Sequence, residues 1–242
     1  MASNTTIVRE PAPWQLKGEA YILVTKFNPW FVKTQGFIPP ALKGRYTGGF
    51  GVVMFVDYHQ SNVGPYQELL FVPGLFSFGN KRIATITKIY VSTQASVING
   101  QANWGIPKEL AKFKIDRQTK HIKRIRAQKE GQVFADFTIK TSPWGLKLSS
   151  SLLPKKFKTL AQPYSEQTLI VTPSATGKMS RAQLVEANIT SKHFPDFSCG
   201  SFHQGVYASP FTMRFPTALP LETYLSAHSS TRMNFCRSEN AS

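Results

Sequence analysis

The chain has 242 residues, of which 41% are hydrophobic, and a formal net charge of +16 from 29 Lys and Arg against 13 Asp and Glu. Length and apolar content of this order exclude general disorder and predict one domain over residues 1–228, with a polar, Ser-rich flexible tail over 229–242. No apolar run approaches the ~18 residues of a membrane span, the first residues lack the pattern of a signal peptide, and Cys199 and Cys236 lack metal-ligand spacing. A cytoplasmic protein with neither disulfide scaffold nor metal site is therefore expected.

In chain order, strand-like runs rich in β-branched and aromatic residues cover Ala20–Phe27, Phe50–Tyr58, Tyr66–Val72, Arg82–Ser92, Ala111–Arg117, Gln132–Lys140, Gln167–Thr172, Arg181–Thr190 and Gly205–Phe215. Gly131, Pro143, Pro154, Pro173, Gly177 and Pro195 punctuate them. The pattern predicts a mainly β fold, an antiparallel sheet closing on itself as a cone or barrel. Helical signals are few: Pro39–Lys43, a turn at Glu109–Lys112, and Leu219–Ala227. Ser174–Lys178 reads as a turn before the Arg181 strand and falls short of a phosphate loop.

Between Lys112 and Lys129 eight cations face a single carboxylate, Asp116. They alternate with Phe113, Ile115, Ile122 and Ile125, so we read the cations as the solvent face of strands whose inward face is those four apolar residues. Aromatics are not interleaved with them, apart from Phe113, and no base-reading motif accompanies them, so no nucleic acid partner is expected.

Lys108 stands apart from the other lysines. It lies among Trp104, Ile106, Pro107 and Leu110, away from the charge-rich runs. Burial of an amine among apolar groups disfavours its charged form and makes it a nucleophile toward carbonyl carbon. Glu68, following Tyr66 and preceding Leu69, Leu70 and Phe71, is an acid in an apolar setting suited to proton transfer. The five histidines show no metal or triad spacing.

The run Gly100-x6-Pro107-Lys108-x-Leu110, together with Tyr66-Gln67-Glu68 and Leu184–Thr190, resembles the acetoacetate decarboxylase family over roughly Ala20 to Ala208. The resemblance implies a β cone or barrel and a cofactor-independent lyase. Lys108 would form a Schiff base with a β-keto acid or related small carbonyl substrate, and Glu68 would be the catalytic carboxylate. It also implies a homo-oligomer; Lys26, Tyr66, Gln101 and Trp104 are the candidate substrate contacts. The chain departs from the family in four places: Glu109 stands where a second lysine follows the reactive one, Gly100-Gln101-Ala102 where the family has Gly-Arg-Glu, Lys26 at an early-strand arginine, and Gly51 at an acidic position. Activation of Lys108 requires Glu109 to project away from it, as an extended backbone allows, and Trp104, Ile106 and Leu110 to surround it. Aldol or dehydration chemistry on a larger carbonyl compound, and ligand binding by a non-catalytic barrel, are the alternatives.

Overall fold

The computed structural model describes residues 8–152 and 154–227, so the expected tail at 229–242 lies outside the described residues. In chain order the elements are β1 (Trp14–Lys26), α1 (Pro29–Gln35), β2 (Gly51–Gln60), β3 (Tyr66–Val72), β4 (Leu75–Phe78), β5 (Lys81–Ala84), β6 (Lys88–Val91) and α2 (Gln94–Trp104). There follow β7 (Lys108–Leu110), β8 (Lys112–Arg117), β9 (Ile122–Lys129), β10 (Gln132–Ser149), β11 (Leu160–Tyr164), β12 (Gln167–Val171), β13 (Ser174–Ile189), β14 (Ser201–Phe215) and β15 (Leu219–Pro220). Residues 221–227 are helical, as expected.

Ten strands form one sheet in the order β7-β6-β3-β2-β1-β14-β13-β10-β9-β8. Its two edges, β7 and β8, are separated in the chain only by Ala111, whose N–H donates to the Val91 carbonyl at 3.0 Å. Edges joined by one residue cannot lie a sheet's width apart, so the sheet curls until it is nearly closed. The inside of the curl is a core that includes Tyr21, Leu23, Phe55, Leu69, Phe71 and Phe137. Strand β3 is buried on both faces, because Tyr66, Leu70 and Val72 point the other way into a second core that holds Val97 and Trp104 of α2. This is why its sequence runs Leu69-Leu70-Phe71-Val72 without polar alternation. A five-stranded sheet, β15-β12-β11-β5-β4, encloses a third, smaller core around Phe76, Phe78, Ile83 and Ile170.

The mainly β, barrel-like architecture agrees with the sequence pattern; several details do not. Arg82–Ser92 is two strands in different sheets, β5 and β6, because the chain leaves one sheet after Ala84 and joins the other at Lys88. Residues 109–110 are extended in β7, parallel to β6, where a helical turn was expected at Glu109–Lys112. Ser174–Lys178 is the first part of β13, paired with the far half of β10. Strand β10 itself continues past Lys140 to Ser149, through Pro143 at a register shift that leaves the proline outside the paired ladder.

The basic stretch also needs correction. On β9 the buried residues are Lys123, Ile125 and Ala127, and Ile122 is only half-buried. Lys123 therefore points inward instead of toward solvent. Its neighbours behave as expected: Arg124 pairs with Asp136 at 2.7 Å and Arg126 pairs with Asp116 on the outer face. Among the described residues no helix is long and apolar enough to cross a membrane.

Candidate active site

Helix α2 and strand β7 place Lys108. Thr93 caps the helix start by accepting from the Ser96 N–H, and Gly105 ends it in the left-handed conformation (φ 65°) with its N–H donating to the Gln101 carbonyl. Ile106 and Pro107 then turn the chain into β7, whose first residue is Lys108. The lysine lies back across the helix that precedes it. A Cβ built on Gly100 would stand 2.6 Å from Lys108 Cδ and 2.8 Å from Cε, so the absence of a side chain at this position makes the passage possible.

Lys108 is 4% exposed and Glu68 is 5% exposed. The Lys108 Nζ donates to Glu68 Oε2 at 3.0 Å and to Ser96 Oγ at 3.1 Å, and lies 5.1 Å from the centre of the Tyr66 ring. Glu68 and Tyr66 are alternate residues of β3 on one face, so strand periodicity alone brings both to the amine. Burial holds the Tyr66 and Tyr58 phenols well above their ordinary range, and the Glu68 charge adds to it, so both remain protonated hydrogen-bond donors. Gln101 donates from Nε2 to the Lys108 carbonyl at 2.8 Å and holds the backbone without touching the amine. Lys108 lines none of four surface clefts of 480 to 640 Å³.

Glu109 faces the other way. It bonds Lys88 of β6 and Lys129 of β9, the latter at 2.7 Å, across the line where the curled sheet meets itself. Burial pushes its carboxyl up, but hydrogen bonds from Lys129 and Lys88 and their charges more than offset this, holding it below the usual carboxylate range. Glu109 thus serves the seam.

The remaining expectations meet mixed outcomes. Trp104 is a core residue: its ring packs edge-on against Trp14 and Phe215 at 5.0 and 4.7 Å, and its Nε1 donates to the Pro216 carbonyl at 2.7 Å. Leu110 is 47% exposed, so the apolar surround expected for Lys108 is incomplete. What meets the amine is polar: Glu68, Ser96 and the Tyr66 ring. Lys26, exposed at the end of β1, is not among these contacts. Ser96 went unrecognised in the sequence, and Gly100 was read only as part of the motif and not as the passage for Lys108, because α2 has no apolar stripe: its buried residues are Ser96, Val97, Asn99, Gly100 and Trp104.

The fold is a nearly closed β barrel that buries a lysine–glutamate pair between strand β3 and helix α2. The sequence model of acetoacetate decarboxylase matches residues 2–234, and the chain belongs to that family. Among solved structures it is similar to acetoacetate decarboxylase from Legionella pneumophila (13% identity, 91% of this chain and 92% of that one, TM-score 0.68). It is also similar to an acetoacetate decarboxylase-like enzyme from Sphingomonas wittichii RW1 (12%, 91% and 97%, 0.65). A third similar structure is the enduracididine biosynthesis enzyme MppR complexed with the condensation product of pyruvate and imidazole 4-carboxaldehyde (13%, 90% and 92%, 0.60). No curated protein matches the sequence.

Proposed function

We propose that the chain is a cofactor-independent carbon–carbon lyase in which Lys108 forms a Schiff base with a β-keto acid or related carbonyl compound. One observation carries the reading: a buried amine held 3.0 Å from a buried carboxylate, with Glu109 turned away from it. An ammonium is not a nucleophile, so the first step is transfer of its proton to Glu68 along that hydrogen bond, which cancels both buried charges at once. The neutral amine attacks the carbonyl carbon to give a carbinolamine, whose hydroxyl takes the proton back from Glu68 and departs as water, leaving the iminium on Lys108. The resulting iminium draws the electrons of the bond to the carboxylate carbon, carbon dioxide departs, and the enamine is protonated on carbon and hydrolysed. Ser96 and the protonated Tyr66 orient the amine and the carbinolamine hydroxyl.

A condensation reading has its own support. The family's second lysine is Glu109 here and its Gly-Arg-Glu is Gly100-Gln101-Ala102, so cations suited to a small keto acid are missing. One structural neighbour is described with a condensation product of pyruvate and an aldehyde. Carbon dioxide release from acetoacetate and aldol product from pyruvate plus an aromatic aldehyde, each measured with the wild-type chain and Lys108→Arg, separate these readings. Activity of either kind that survives in Lys108→Arg overturns both, since a guanidinium stays protonated.

A further inference from the structure

A second buried ion pair lies on the other side of the sheet wall, inside the barrel. Lys123 of β9 donates to Glu19 Oε1 of β1 at 2.5 Å, and Tyr207 of β14 donates to Glu19 Oε2 at 2.6 Å. The two charged side chains are 8% and 6% exposed. Tyr21, 1% exposed, stacks on Tyr207 with ring centres 4.8 Å apart. Burial pushes the Glu19 carboxyl up, but hydrogen bonds from Lys123 and Tyr207 and the charges of Lys123 and Arg117 outweigh it, so Glu19 stays a carboxylate. Unlike Lys108, Lys123 lines an open cleft, of about 480 Å³, within the range of small-molecule sites.

The charge of this cleft is one-sided. Its walls hold Arg117, Lys120, Lys123 and Lys178 against the single carboxylate Glu19, a formal surplus of three cations. Counting Asp57, which stands beside Glu19 and accepts from Gln67 at 2.9 Å, the surplus is two. Although Glu19, Asp57 and His59 bring their ligand atoms within 4.8 Å of one another, a metal ion there would have to displace the ammonium already on Glu19. Hydrogen bonding to Glu19 uses one of the three N–H donors of Lys123, whose ammonium also lies 5.4 and 5.7 Å from the Tyr21 and Tyr207 ring centres while the side chain lines the cleft.

We propose that this cleft binds a small polyanion, a molecule carrying phosphate or several carboxylate groups, with Lys123 at its floor and Arg117, Lys120 and Lys178 at its rim. Charge-assisted bonds from several cations to one oxyanion are the strong class of hydrogen bond, and their strength grows as the ligand excludes water.

The test is calorimetric titration of the intact chain with pyrophosphate and with citrate at low and high salt. Lys123→Met strands the buried Glu19 and threatens the fold, so Lys120→Gln with Lys178→Gln is the informative variant. Saturable binding weakened about tenfold in that variant, with unchanged melting and no loss in a Lys155→Gln, Lys156→Gln, Lys158→Gln control, supports the site. Whether pyrophosphate or citrate binds more tightly then assigns the ligand as phosphate or polycarboxylate. Absence of saturable binding of either probe, or equal loss in the control, refutes it.

Discussion

Gly100→Ala sets two effects against each other. Replacing glycine by alanine inside a helix favours the helix by about 1 kcal/mol. The new Cβ, however, falls 2.6 Å from Lys108 Cδ, 2.8 Å from Cε and 3.4 Å from Nζ, so the lysine chain must shift. Crowding of this kind costs about 1–3 kcal/mol, at the low end because the clash is with a flexible side chain. Net stability should then fall by no more than about 2 kcal/mol. Chemistry is affected far more, since a displacement of about 1 Å at a reacting group costs on the order of a hundredfold in rate. The assay pairs chemical denaturation with the rate of keto-acid turnover or of reductive trapping at Lys108. A variant more stable than wild type with an unchanged rate would refute the claim that Gly100 exists to let Lys108 through.

Other perturbations read the rest of the account. Glu68→Gln leaves the Lys108 ammonium buried without its counter-ion and should cost about 3–5 kcal/mol in denaturant unfolding, together with loss of activity. Lys123→Ala should cost a comparable about 3–5 kcal/mol by stranding Glu19, whereas Arg124→Ala, on the outer face, should stay within about 1 kcal/mol; equal effects would contradict the inward placement of Lys123. Because the Glu109 carboxyl lies below its ordinary value in the folded chain, its seam contributes stability at neutral pH that is lost as pH falls through that lowered value. Glu109→Gln should therefore flatten the acid limb of the stability profile and leave turnover nearly unchanged; a large drop in turnover would place Glu109 in the reaction.

The architecture was legible because strands announce themselves through β-branched and aromatic runs, and the reactive lysine because its neighbours are apolar and backbone-restricting. Helix α2 was not legible: a helix whose buried face must admit a lysine and hydrogen-bond it carries Ser96 and Gly100 in place of an apolar stripe, so it lacks the periodic signal. Lys123 was misassigned for a related reason. On a strand, a shift of one residue exchanges faces, and Ile122 looked a better core residue than a lysine whose partner, Glu19, is 104 positions away. Trp104 lies in the right segment, but its contacts run to Trp14, Phe215 and Pro216, which no local pattern specifies.

Trapping the imine tests the central claim most directly. Incubating the chain with acetoacetate or pyruvate, reducing with borohydride and mapping the adduct by peptide mass spectrometry reports which amine reacts. The account predicts one irreversible adduct, on Lys108, absent from Lys108→Arg and slowed in Gly100→Ala. An adduct confined to exposed lysines, or one that forms on Lys123 while Lys108 stays unmodified, would contradict it.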